Sequence, residues 1–405
     1  MIALADCNNF FASCERSLRP ELEGLPIVVL SNNDGCIIAR SNEAKALGYK
    51  MGEPVFKVKD RLLRDKVHMF SANVVLYRAI SQKIMQILAS ECNSMEVYSI
   101  DEAFMDFTDV ACPDEKALLL REQVLRETKI PISIGIAKTK VLAKLASTIA
   151  KKHTSKGVFL FTDKDLVSRA LAYYPVEDLW GVGNRLAKKL NNKGIFSASQ
   201  LAQLDEVWLR KYMNIGGVRL VRELNGVPCS DLVETRAAKK SIMNSRSFKK
   251  ELNSLSELNE ILTNFASSCA HKLRNQKSCT QKLGVFIQTN RFKPEAKLHN
   301  GYIEVVFPTA TNDSIEIIKA THKALIELYK SDCLYKRAGV IVSDIIPESV
   351  VQLNLFSKHN IVKRTALMEV CDSINDKMGE GTLRFSVQGT EKKWDANKEP
   401  IAFGN

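Results

Sequence analysis

Residues Glu96 to Phe107 read Glu-Val-Tyr-Ser-Ile-Asp-Glu-Ala-Phe-Met-Asp-Phe. β-Branched and aromatic residues flank an acidic pair, a pattern that predicts a hairpin or a bulged strand within a sheet. Successive residues of a flat strand point to opposite faces, so Asp101 and Glu102 can serve one site only if the chain turns or bulges there. Another carboxylate stands earlier, where the apolar run Ile2 to Ala5 ends on Asp6. A buried carboxylate is costly unless it is paired or bound to a cation. Three of them converging would suit hard divalent metals, which prefer oxygen ligands. Each segment alone has a plainer reading: Asp101-Glu102 as a solvated turn, Asp6 as a cap on the next helix.

Working outward, Asn8 to Leu18 is helix-like, and Pro26 to Leu30 and Cys36 to Ala39 read as strands around the turn Asn33-Asp34-Gly35. Ser41 can cap a short helix that Gly48 ends. Ile132 to Ala137 is a further apolar strand. The helix expected from about Thr139 to Lys152 places Lys140, Lys144 and Lys151 on one face. Strands alternating with helices make the first 165 residues an α/β or α+β unit. From Pro175 to about Asn225 short helices are broken by glycines, including Gly181 and Gly183. Glycine lets backbone approach a phosphate, and N–H groups at the next helix start can bind it. Asn214 to Asn225 resembles a degenerate second copy of that pattern. From Lys240 to Ile346 the expected order is split β-α-β-β-α-β, followed by a linker and a tail with a helix over Thr365 to Lys377.

The 405 residues call for two to four domains. Lys and Arg number 58 against 46 Asp and Glu, a net charge of +12 that favours an anionic partner. Ten cysteines without a C-x-x-C pair argue against a disulfide framework or a zinc site. No apolar stretch is long enough to span a bilayer, and the N-terminal run is interrupted by Asp6, so a cytoplasmic protein is expected.

Several strings share the order and spacing of one known family. They are Asp6-Cys7-Asn8-Asn9-Phe10-Phe11-Ala12-Ser13-Cys14-Glu15, Ser31 to Lys45, Tyr98-Ser99-Ile100-Asp101-Glu102-Ala103, Gly135 to Lys140, and Leu353-Asn354-Leu355-Phe356 after Gln352. The chain resembles Y-family DNA polymerases, and within them the UmuC-type catalytic subunits of bacterial DNA polymerase V. The resemblance implies an α+β multidomain right-hand polymerase. Its parts would be a palm (1–165) with fingers inserted at about 20–72, a helix-hairpin-helix thumb (166–236) and a split β-α-β-β-α-β little finger (237–346). A clamp-binding linker (347–360) and a C-terminal tail (361–405) would follow. The implied reaction is error-prone translesion synthesis in an SOS-type response, two-metal transfer of dNTPs onto a primer 3′-hydroxyl.

Carried over by position, Asp6, Asp101 and Glu102 are the expected ligands of two Mg²⁺ ions, with Mn²⁺ as substitute and the Cys7 carbonyl contributing. Asn8 stands where many relatives have a second Asp. Phe11 matches the steric gate beneath the sugar, a place where many relatives have Tyr. Phe10, Ile38 and Ala39 would line the nascent pair, while Lys45 and Lys144 would meet the triphosphate. Gly181, Gly183, Lys188 and Arg246 would contact primer-template DNA, and Gln352, Leu353, Leu355 and Phe356 the sliding clamp. A cleaved UmuD-type dimer and RecA are implied partners, with no membrane. A non-catalytic DNA-structure binder using the hairpin glycines is the competing reading. Diguanylate cyclases share paired carboxylates on a palm-like sheet, yet their Gly-Gly-Asp/Glu-Glu-Phe signature is absent.

Overall fold

The computed structural model describes residues 1–31, 33–235, 237–293, 295, 297–352, 361–379 and 381–389, with 361 and 362 by their backbone alone. Strand β1 (Ile2–Cys7) carries Asp6 near its end. β2 (Ile27–Leu30), β3 (Ile37–Arg40) and β4 (His68–Ser71) form a separate sheet ordered β3-β2-β4. It closes on its own small core, which includes Leu30, Ile37, Tyr49, Leu62 and Met69. β5 (Met95–Val97), β6 (Glu102–Asp106), β7 (Ile132–Ala137) and β8 (Val158–Leu160) complete a five-stranded sheet around β1, ordered β5-β6-β1-β7-β8. The acidic stretch is therefore a hairpin: the amides of Tyr98 and Ser99 both donate to the Glu102 carbonyl at 3.1 Å. That tight turn is the change of direction an adjacent acidic pair requires.

The chain divides into two compact units, 1–236 and 237–399. In the first, the helix Lys140–His153 lies on β7, with Thr139 accepting from the Leu142 amide as its N-cap. A Cβ on Gly135 would stand 1.9 Å from the Ser147 nitrogen, so only glycine admits this helix so close to the sheet. The same helix is held from the other side by Glu223, on the helix Glu206–Leu224. Glu223 is only 3% exposed, and its carboxylate accepts from the Val141 amide at 3.0 Å. An acid at a helix N-terminus is favoured by the dipole and satisfies an orphan donor. The long helix is kinked at Asn214, whose φ of 60° interrupts it at the start of the stretch expected to copy the glycine hairpin.

The second unit follows the expected element order. β9 (Ser241–Leu252), β10 (Ser278–Thr289), β11 (Asn300–Thr311) and β12 (Tyr335–Pro347) are ordered β11-β10-β12-β9, all antiparallel. β9 and β10 are thus parallel with β12 between them, and β11 and β12 parallel with β10 between them. The connecting helices Leu255–Asn275 and Ser314–Leu328 bury their apolar sides on one face. The tail helix Ile361–Met378 docks here through Asp372, which accepts from Arg274 at 2.6 and 2.8 Å, and through Arg364, which pairs with Glu316 at 3.0 Å.

Gly135→Ala should destabilise the protein by about 1–3 kcal/mol or more through overpacking. Denaturant unfolding of the variant beside the parent chain measures the loss.

Candidate active site

Asp6 sits opposite Glu102 in the β1–β6 register, and the Cys7 amide donates to the Asp101 carbonyl at 2.9 Å. The three expected carboxylates thus come to one end of adjacent strands, each partly buried. Burial, opposed by Lys144 and reinforced by Asp6 and Asp101, holds the Glu102 carboxyl above its ordinary range. Among the described residues no three acidic, Cys or His side chains close into a metal cage. Each of two carboxylates instead faces its own cation. Lys144 reaches both Glu102 oxygens at 2.9 Å, and Lys151 reaches Asp6 at 2.7 Å. The donor set is wholly oxygen and acidic, as Mg²⁺ or Mn²⁺ requires. The Cys7 thiol is turned into the core and pushed up by burial, then by Asp6 and Asp101, which leaves only its carbonyl for the site. Asn8 accepts from Ser133 at 2.9 Å instead of joining the acids.

A cationic group stands on the finger side. Lys45 hydrogen-bonds Asn9, and its ammonium is pushed below its usual range by desolvation, then by the nearby charges of Lys151 and Arg40. Crowded cations repel unless an anion lies among them. Lys144 is placed differently from Lys45: besides Glu102 it lies 4.8 Å from the Tyr98 ring centroid and 5.5 Å from that of Trp180. Trp180 in turn donates to the Tyr98 hydroxyl at 3.1 Å. The sequence had drawn attention to the lysine stripe but gave Lys151 no task, and it missed Arg40. Their signals were present, since Lys151 follows Lys144 by seven positions and Arg40 shares a strand face with Ile38 along β3.

Phe11 is partly buried, whereas Phe10 is only 4% exposed and packs in the palm core. Ile38 is partly buried and Ala39 buried; both pack against that same core. Gly181, at φ +92°, and Gly183 are exposed, and a Cβ on either would meet nothing within 4 Å. The helix Asn184–Asn191 begins directly after them, with Lys188 exposed on it. Arg246 is partly buried on β9. It pairs in register with Ala338 and so shares the strand face of buried Ile242 and Phe248, on the helix side of the sheet. There it lines a cavity of about 460 Å³ with the helix Leu255–Asn275 and the tail. Strand alternation turns it away from the open sheet face, where Lys282 pairs with Asp344 at 3.0 Å. Gln352 is exposed; Leu353, Leu355 and Phe356 lie outside the described residues.

Residues 5–148 match the impB/mucB/samB family and 239–355 its C-terminal domain, while 365–400 match a domain of unknown function, DUF4113. Protein UmuC of Salmonella typhimurium is 41% identical over 408 residues, 99% of this chain and 97% of that protein. The chain belongs to the impB/mucB/samB family of UmuC-type Y-family DNA polymerases. Protein ImpB of Salmonella typhimurium is 38% identical over 99% of this chain and 96% of its own. DNA polymerase IV of Bacillus anthracis is 29% identical over 97% and 94%. The Y-family DNA polymerase chimera Dbh-Dpo4(243-245)-Dbh superimposes with a TM-score of 0.68 at 22% identity, covering 86% of this chain and all of that one. This UmuC-type chain is a translesion DNA polymerase, and such a family implies dependence on a divalent metal.

Lys144→Met removes the cation from Glu102 and keeps an apolar stem. The metal-free protein should lose about 1–3 kcal/mol, because a charged group loses its partner. Millimolar Mg²⁺ should restore part of the loss by binding the folded state alone, which melting curves with and without the ion will measure.

Proposed function

We propose that the chain adds dNTPs to a primer 3′-hydroxyl by two-metal transfer, with Asp6, Asp101, Glu102 and the Cys7 carbonyl as metal ligands. The observation that carries this reading is a division of charge across one site. Three carboxylates stand at the ends of β1 and β6, and Arg40, Lys45 and Lys151 gather beside them. Bound Mg²⁺ would activate the 3′-hydroxyl and neutralise charge on the leaving pyrophosphate. Lys45, Lys151 and Arg40 orient the triphosphate and offset charge that develops on it. Lys144 is better suited to steadying Glu102 and the Tyr98–Trp180 pair than to meeting the triphosphate first.

Phe11 acts as the sugar gate, with Ile38 and Ala39 roofing the base pair, and Phe10 supports the gate from the core. Gly181, Gly183 and Lys188 of the thumb take backbone phosphates, while the open sheet face of the second unit is the better candidate for further duplex contacts than Arg246. Residues 1–165 serve as palm with inserted fingers, 166–236 as thumb and 237–346 as little finger. The UmuC resemblance supports a cleaved UmuD-type dimer and RecA as partners. The Gln352-Leu353-Asn354-Leu355-Phe356 string supports docking on the sliding clamp.

Primer extension with Mg²⁺ tests the reaction. Asp6→Ala, Asp101→Ala and Glu102→Ala should each nearly abolish incorporation while primer-template binding persists; full activity in the Asp101→Ala protein would sink the assignment. For the clamp, Leu355→Ala with Phe356→Ala should remove clamp-stimulated synthesis and spare clamp-free extension. A parallel fall of both activities, with earlier melting, would make the segment structural.

A further inference from the structure

The Phe11 ring does not stand alone on its helix, Phe10–Ser17. It lies face to face with the Tyr77 ring, centroids 4.6 Å apart and planes 17° from parallel, whereas its contact with Phe10 is tilted by 48° at 5.8 Å. Tyr77 is fully buried in the first turns of the helix Val74–Ala89. Its hydroxyl donates to Glu15 Oε1 at 2.7 Å, and Arg19 donates to Glu15 Oε2, also at 2.7 Å. Glu15 is itself only 4% exposed. The Arg19 guanidinium lies 4.8 Å from the Phe70 ring centroid, on β4 of the finger sheet.

We propose that Tyr77 is a positioning residue for sugar selection, fixing the Phe11 ring through a buried Tyr77–Glu15–Arg19 chain. The proposal rests on the reading of Phe11 as the gate and names what holds that gate in place. A buried carboxylate is an expensive way to fill a core, and an apolar group of the same volume would often serve stability as well. What a satisfied polar chain adds is one defined geometry. Tyr77 cannot slide without breaking its bond to Glu15, and Phe11 cannot tilt back without losing the stacked face. Burial, then Glu15, push the Tyr77 phenol far above its usual range, so it remains a donor. Steric exclusion of one hydroxyl needs sub-ångström placement, which a ring free to retreat would not supply. Through Arg19 and Phe70 the same chain ties the gate to the fingers.

The test compares dNTP with rNTP incorporation by the full chain on primer-template with Mg²⁺. Tyr77→Leu removes the flat support and should lower sugar discrimination about tenfold or more, mainly through the KM for the ribonucleotide. Tyr77→Phe keeps the ring and loses the anchor, and should loosen discrimination less. In a Phe11→Ala background, Tyr77→Leu should change the ratio no further, because its effect passes through Phe11. Equal slowing of both sugars by Tyr77→Leu would overturn the proposal, as would the same loosening with and without Phe11. If Phe11→Ala leaves discrimination intact, the gate reading fails and the proposal fails with it. If Phe11→Ala loosens discrimination and Tyr77→Leu does not, the positioning role alone is wrong. Should Tyr77→Leu not fold, Tyr77→Phe decides: a loosened ratio supports the chain, an unchanged one overturns it.

Discussion

Carboxylates at the ends of adjacent strands repel one another when partly buried, and a site built from Asp6, Asp101 and Glu102 exists only if cations are supplied beside it. The chain supplies them from one element. Lys144 and Lys151 project from the helix Lys140–His153, one onto Glu102 and the other onto Asp6. That helix reaches the strands because Gly135 leaves no side chain between them. The two lysines hold Glu102 and Asp6 in place from the same helix.

Much of this was legible in the residues. The hairpin around Asp101-Glu102, the strand ending on Asp6, the Thr139-capped helix and the order of strands in the second unit follow from periodicity and turn chemistry. Long-range consequences were not. No local signal says that Arg246 faces helices, because that depends on which face of the sheet the helices Leu255–Asn275 and Ser314–Leu328 cover. Nor does spacing decide which lysine of a stripe meets which acid. The Tyr98–Trp180 box around Lys144 joins residues 82 positions apart. The Tyr77–Glu15 bond spans 62. Contacts of that separation belong to the tertiary fold.

Family membership and structure carry different weight here. The 41% identity to protein UmuC covers both chains almost end to end and establishes kinship. The solved polymerases, at 22–23% identity, establish a shared architecture only. Asn8 stands beside the centre without joining it: its amide oxygen takes a hydrogen bond from the Ser133 hydroxyl at 2.9 Å.

The buried Glu223 carboxylate at the Val141 amide bears on cooperativity. Palm residues Leu4, Phe104 and Val141 share one hydrophobic core with thumb residues Val176, Leu190, Leu209 and Leu224. Native-state exchange opens proteins in contiguous cooperative units, and a common core with a buried polar bond favours placing elements in the same unit. A shared core of this kind favours melting of the two parts as one unit. Amides in the helices Lys140–His153 and Glu206–Leu224 are then expected to share one protected foldon, and the spacing between the Gly181–Gly183 turn and the acids is set when it forms.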